Sequence, residues 1–96
     1  MIKHIVCFKL KDATEENCKK AAEVLMSMRG NVEQILDMEV GIDFLHSERS
    51  YDVFLSVTVE DSDALEAYQA HPYHCDVVKT HMHAVRSASV AVDFEI

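Results

Sequence analysis

The chain has 96 residues, 49% of them hydrophobic, which suits a single domain over residues 1–96 with one buried core. Its formal net charge is −8 and it has only nine lysines and arginines, which argues against nucleic acid as a partner, because phosphate binding needs clustered cations. No apolar stretch reaches the length of a membrane span, so we expect no membrane association.

The first elements predicted are a strand and a helix. Residues 2–10 alternate with apolar groups on both faces, which is typical of a β-strand. Asp12 or Thr14 can cap the helix that follows, and Gly30 supplies the left-handed residue after its end. Apolar side chains recur at amphipathic-helix spacing at Cys18, Ala21, Ala22, Leu25 and Met28.

The rest of the chain predicts two strands, a broken helix and a last strand. Strands cover about residues 36–44 and 51–59, joined by a polar hairpin loop. A helix over 60–71 is interrupted at Pro72, which favours the first turn of a new helix. The final strand covers about 85–96. The order β-α-β-β-α-β predicts an α+β, ferredoxin-like fold.

Two helices can cover only one face of a four-stranded sheet, so the second face needs another partner or a polar surface. We expect Ile5, Cys7, Phe54 and Ala91 on that second face, which makes it mixed rather than plainly polar. The pattern therefore predicts a homodimer formed through the sheet face. The alternative is a monomer with a half-polar open face.

Cysteine usage and the N-terminus bear on location. The count of three cysteines is odd and no Cys-x-x-Cys occurs, which favours a reducing compartment over a disulfide framework. The apolar run at the N-terminus is broken by Lys3, His4 and Lys9, and no small-residue cleavage site follows, so it does not have the pattern of a signal peptide. We predict a cytoplasmic protein.

The stretch "YQAHPYH", residues 68–74, is the strongest chemical signal. A histidine such as His74 can remove a proton next to a carbonyl, a tyrosine such as Tyr68 can hydrogen-bond the resulting enolate, and His4 could orient the pair. These histidines and this tyrosine could instead have purely structural roles. Tyr68 and His4 could be core residues with satisfied polar atoms, and His71 could cap the helix that starts at Pro72.

A metal site is a further alternative, with His71, His74 and Asp76 close in sequence. Pro72 disturbs their spacing, and no cysteine or glutamate is placed to complete a zinc site. The chain also lacks a Gly-rich phosphate loop and a lysine in a cofactor-like context. We therefore expect no metal and no organic cofactor.

The sequence resembles the Dabb family, the stress-responsive dimeric α/β-barrel domains. The matching segments span the chain in order: "IKHIVCFKLKD", "VGID", "YDVFLSVTVED", "ALEAYQAHPYH" and "VDFEI". The resemblance implies a homodimeric α/β barrel and a pocket between each sheet and its own helices. On that basis we assign the following ligand-binding residues: His4, Val6, Phe8, Leu25, Leu55, Tyr68, His71 and His74.

The resemblance leaves the physiological role open and implies a domain that binds a small apolar or aromatic molecule. One plant branch is a polyketide cyclase that uses a tyrosine and a histidine matching Tyr68 and His74. A cofactor-independent lyase or cyclase with Tyr68, His74 and His4 as catalytic residues is therefore an alternative. That branch has aromatic residues where this chain has the aliphatic "AAEVLMSM". A further alternative is a structural stress protein without a ligand.

Overall fold

The computed structural model describes all residues 1–96, and it has the predicted ferredoxin-like α+β fold. The elements, in chain order, are β1 (Ile2–Leu10), α1 (Glu15–Met26), β2 (Asp37–Ile42), β3 (Val53–Val59), α2 (Ser62–Ala70), a π-helical segment (His74–Lys79), α3 (Thr80–Val85) and β4 (Arg86–Glu95). The four strands form one antiparallel sheet in the order β2-β3-β1-β4.

The core lies between one face of this sheet and the helices. Alternate residues of β1 and β3 point toward the helices, and the apolar stripe of α1 packs onto them. The largest side chains with almost no exposure are Tyr68, Leu25, Met28, Val32, Val53, Val57 and Val59. The core therefore includes Tyr68, the first residue of the stretch 68–74 that contains the candidate catalytic residues.

Local signals explain the helix starts and the turn after α1. Thr14 is the cap of α1, because its Oγ1 accepts a hydrogen bond from the Asn17 amide at 3.1 Å. Asp61 caps α2 in the same way, accepting from the Ala64 amide at 2.8 Å. Gly30 has φ of +85°, the left-handed conformation that glycine adopts without strain.

The second helix breaks where the proline predicts. His71 has ψ of 133°, and its ring Nδ1 accepts a hydrogen bond from the Tyr73 amide at 3.1 Å, so it caps the turn that begins at Pro72. The helix then widens into the π-helical segment. The wider turn changes which residues face inward: Val78 is buried, whereas Val77 is 42% exposed.

The structure corrects the face assigned to β4. Ile5 of β1 pairs with Val92 and Cys7 pairs with Val90, and residues directly opposite in an antiparallel pair share a face. Val90 and Val92 therefore lie on the sheet face away from the helices, and Ala91, which we expected there, lies on the helix side. The alternation of side chains along β4 did not show which face points to the helices, because both faces of this strand contain apolar residues.

This correction makes the open face of the sheet more apolar than the sequence indicated. Val90 is 49%, Val92 60% and Phe94 41% exposed, and they lie beside Ile5 and Cys7. Monomeric proteins rarely leave a contiguous apolar surface of this kind in water.

None of the helices has both the length and the apolar character that a membrane span requires. All three cysteines are free thiols.

Candidate functional site

A cavity of about 150 Å³ lies between the helix-facing side of the sheet and the helical segments. Seven of its thirteen lining residues are apolar, and the other six carry polar or charged groups. The lining residues are His4, Val6, Phe8, Leu25, Leu55, Tyr68, His74, Val78, Lys79, Met82, His83, Arg86 and Ser89. Most of the residues assigned from the sequence therefore meet in one space. A small, largely apolar hollow with a few convergent polar groups is the usual form of a small-ligand site.

Tyr68 is held on α2 with its side chain in the core, and it is only 1% exposed. Burial raises the pKa of the phenol well above its ordinary value, so the hydroxyl is protonated at neutral pH. Tyr73, by comparison, donates its hydroxyl to Ser27 Oγ at 2.7 Å. The Tyr68 hydroxyl makes no hydrogen bond within the chain. It is therefore a donor available to a molecule in the cavity.

His74 opens the π-helical segment, and its ring lies over Tyr68 with centroids 4.8 Å apart and a tilt of 40°. Its Nδ1 donates to the carbonyl oxygen of Gln69 at 3.1 Å, which leaves the lone pair on Nε2 when the ring is neutral. Burial lowers the pKa of His74, and the nearby Lys79 ammonium lowers it further, against the opposing effect of the Gln69 carbonyl. The ring is thus neutral at pH 7 and can act as a base.

His4 completes the trio from the sheet. It is 8% exposed on β1, and its ring meets Tyr68 edge-on with centroids 5.7 Å apart. Its Nδ1 is hydrogen-bonded to the carboxylate of Asp93, which faces it across the β1–β4 pairing. The carboxylate fixes the tautomer and orientation of the ring, as carboxylates do for histidines in many active sites. His4 is therefore held rigidly at the floor of the cavity.

These groups can support proton-transfer chemistry in principle. A neutral His74 could remove a proton from a carbon next to a carbonyl, and the Tyr68 hydroxyl could donate to the oxygen that gains charge. The same set could equally hold a ligand by hydrogen bonds without any reaction. The catalytic role of Tyr68, His74 and His4 stays a prediction.

His71 differs from the other ligand-binding residues assigned from the sequence, because it does not line the cavity. Its Nε2 hydrogen-bonds the Glu33 carboxylate at 3.0 Å, and its Nδ1 is occupied by the Tyr73 amide. The pKa of Glu33 is lowered, first by a hydrogen bond from the backbone of Glu33 itself and second by the hydrogen bond with His71. The extended conformation that Pro72 imposes on His71 turns the ring away from the cavity. Both ring nitrogens of His71 are therefore engaged within the chain, outside the cavity lining.

Asp93, which holds the His4 ring, and several lining residues were not anticipated. Asp93 could have been suspected, since it is the acidic residue within the apolar alternation of "VAVDF". Lys79, His83, Arg86 and Ser89 had no comparable signal, because their approach to the cavity depends on the π-helical turn and on the exact strand pairing.

The alternative metal site finds no geometric support. No three histidine, cysteine or carboxylate side chains come close enough together to hold a metal ion. His71 and His74 are engaged by different partners on either side of the proline break. A zinc site requires three or four ligands at close distance, and this arrangement does not supply them.

Comparison with known families gives one match over nearly the full chain. The model of the stress responsive A/B barrel domain (Dabb) matches residues 2–96. Among curated proteins, an uncharacterized protein of Streptomyces coelicolor is 31% identical over 77 residues, covering 77% of this chain and 79% of that protein.

Solved structures show the same fold at lower identity. A dimeric ferredoxin-like protein of unknown function from Thermobifida fusca has a TM-score of 0.86 at 23% identity, covering 99% of this chain and 90% of that one. The hydroxynitrile lyase from Passiflora edulis has a TM-score of 0.83 at 11% identity, covering 99% of this chain and 92% of that one. At these identities the likeness concerns the fold alone.

Proposed function

The chain belongs to the stress responsive A/B barrel domain family, and from that premise we propose that it binds a small apolar or aromatic molecule in the cavity between its sheet and its helices. The observation that carries the proposal is the Tyr68 hydroxyl. It belongs to a residue that is 1% exposed, it has no partner in the chain, and it lies beside the neutral ring of His74. Because the hydroxyl makes no hydrogen bond within the chain, a bound molecule or water in the cavity has to accept its hydrogen bond.

The cavity volume limits the size of the ligand. A dry protein cavity of roughly 150 Å³ holds a molecule the size of benzene, and this cavity has about the same volume. The apolar lining favours a ring or a short branched chain, and the Tyr68 and His74 side chains favour one carbonyl or hydroxyl group on it. Benzaldehyde and benzyl alcohol meet these conditions and serve as probes.

The proposal can be tested by methyl NMR during titration with benzaldehyde and benzyl alcohol. Shifts should concentrate on the methyl groups that line the cavity, those of Val6, Leu25 and Leu55. The methyl groups of Val90 and Val92, on the open sheet face, serve as internal controls and should not move. Shifts confined to the open face, or none up to the solubility limit, would contradict ligand binding in the cavity.

The second candidate function is a cofactor-independent lyase or cyclase. It is favoured by the arrangement of a neutral base, His74, against the protonated Tyr68, with His4 fixed by Asp93. The hydroxynitrile lyase from Passiflora edulis has the same fold, so the fold is compatible with lyase chemistry.

Proton removal can be measured without knowing the natural substrate. Phenylacetone in D₂O should exchange its α-hydrogens faster with the protein than with buffer, and His74→Ala should remove the acceleration. Exchange at the buffer rate would argue against this chemistry and leave ligand binding standing. A structural stress protein without a ligand would show neither binding nor exchange.

We propose further that the chain forms a homodimer through the open sheet face, in a cytoplasmic setting. The dimeric protein from Thermobifida fusca shares the fold. In this chain the exposed valines of β4 lie next to Ile5 and Cys7, and a second sheet packed against them would bury this apolar surface. The cavity is on the opposite side of the sheet, so dimerisation leaves it accessible.

A further inference from the structure

The lining of the cavity holds two cationic side chains and no carboxylate. The chain as a whole has 17 acidic residues and nine lysines and arginines. The cavity lining nevertheless contains Lys79 and Arg86 and no aspartate or glutamate, while Asp93, which is not part of the lining, is engaged by His4. Since the net charge of the protein repels anions, this local reversal creates a site of positive potential at an otherwise acidic surface.

Arg86 reaches the cavity because of an irregularity in the sheet. In the β1–β4 pairing Lys9 is opposite Ala88, but Leu10 is opposite Arg86, so Ser87 is an extra residue in β4. Without this bulge Ser87 would face Leu10 and Arg86 would lie on the open face, because a shift of one residue exchanges the two faces. The bulge thus turns the guanidinium of Arg86 to the cavity side, where Nη1 donates to Ser89 Oγ at 3.5 Å.

Lys79 approaches from the helical side. It ends the π-helical segment, and His83 follows one turn later in α3. Its positive charge is close enough to lower the pKa of His74. Neither Lys79 nor Arg86 forms an ion pair with a carboxylate, in contrast to Lys19, which pairs with Glu15 at 3.3 Å. Two cations without a carboxylate partner in the lining of one cavity can bind an anionic group.

We propose that the ligand is a small monocarboxylate, with its apolar body among Phe8, Leu25 and Leu55 and its carboxylate bound by Arg86 and Lys79. This inference rests on the proposed function, since it names the class of molecule that the same cavity binds. The guanidinium can hold a carboxylate by two parallel hydrogen bonds, and the lysine adds a point charge. A carbonyl or hydroxyl group on the body of the same molecule would meet Tyr68 and His74.

The arrangement also fits the cost of desolvation. Lys79 and His83 are exposed and Arg86 is half-buried, so the carboxylate would remain partly hydrated while the ring enters the cavity. A charge placed deep among the aliphatic side chains would be much more expensive to bind. The ligand orientation is therefore fixed: apolar end inward, carboxylate outward.

The test compares benzoate with benzamide, a neutral molecule of nearly the same shape, by calorimetric titration. Wild-type protein should bind benzoate about ten-fold or more tightly than benzamide, as expected for hydrogen bonds to charged groups. The double variant Lys79→Gln with Arg86→Gln should remove this preference, so that benzoate binds no more tightly than benzamide. Lys20→Gln, an exposed lysine on α1 remote from the cavity lining, removes a charge elsewhere and should preserve the preference.

The outcomes separate this inference from the proposed function. Equal binding of benzoate and benzamide by the wild type would overturn the carboxylate assignment and leave the ligand-binding cavity standing. Failure of both probes to bind would overturn both. If the double variant does not fold, the single Arg86→Lys variant keeps the charge but not the paired hydrogen bonds, and it should weaken benzoate alone. An equal effect of Arg86→Lys on benzamide would also overturn the assignment.

Discussion

Replacing Val92 by lysine should dissociate the dimer without unfolding the protomer. Val92 lies near the middle of the apolar surface on the open sheet face, opposite Ile5, and it is 60% exposed in the single chain. A lysine at this position keeps its charge in water in the monomer, and would have to lose that hydration in a sheet-to-sheet interface. The substitution therefore penalises the dimer specifically.

The expected magnitude follows from the exposed fraction. Burying a whole valine side chain contributes about 1.5–3 kcal/mol, so burying the 60% that remains exposed contributes about 1 kcal/mol. A two-fold interface contains the residue twice, which gives about 2 kcal/mol, or roughly thirty-fold in the dissociation constant. Desolvation of the two lysines adds to this loss, so thirty-fold is the lower bound.

Sedimentation velocity over a range of micromolar concentrations measures the effect directly. Wild-type protein should sediment as a dimer and Val92→Lys mainly as a monomer with unchanged far-UV circular dichroism. Val77→Lys is the matched control, because Val77 is 42% exposed but lies on the helical side of the sheet, and this variant should remain dimeric. A Val92→Lys protein that stays dimeric at every concentration would refute the sheet-face interface.

Three further predictions concern the site. Because the folded-state pKa of His74 lies below its ordinary value of about 6.5, the unfolded chain binds the proton more readily between those two values. The folded state therefore loses stability as the pH falls through that window. The urea midpoint of the wild type should decline there, and His74→Gln should make this decline with pH less steep. An equally steep decline in the variant would show that His74 is not responsible. Tyr68→Phe should change the free energy of unfolding by less than about 0.5 kcal/mol, whereas Tyr73→Phe should cost about 1 kcal/mol because it removes the bond to Ser27; the reverse order would mean that the Tyr68 hydroxyl is satisfied within the protein. Elemental analysis after mild purification should find no stoichiometric zinc or manganese, and one metal ion per chain would contradict the expectation of a metal-free site.

The features that could be predicted from the sequence are those that neighbouring residues determine. Thr14 and Asp61 act as caps through amides three residues away, and Gly30 adopts its positive φ within a single turn. The break at Pro72 is likewise a local steric effect. The order of strands and helices follows from these signals together with hydrophobic periodicity, which is why the ferredoxin-like fold could be recognised.

The features that the sequence did not reveal depend on pairing between distant segments. Asp93 is 89 residues from His4, and only the β1–β4 register brings the two side chains together. The bulge that turns Arg86 inward comes from the same register. The π-helical turn changes the spacing of the residues after His74, so an ideal α-helical wheel misplaces Val77 and gives no reason to assign Lys79 to the cavity.

The central claim is that Tyr68, His74 and His4 surround a molecule in the cavity, and a crystal structure of the protein purified without small-molecule additives tests it most directly. We predict electron density for a compact ligand that accepts a hydrogen bond from the Tyr68 hydroxyl and contacts Nε2 of His74. A cavity filled by protein side chains, with the His74 ring turned out to solvent, would contradict the account.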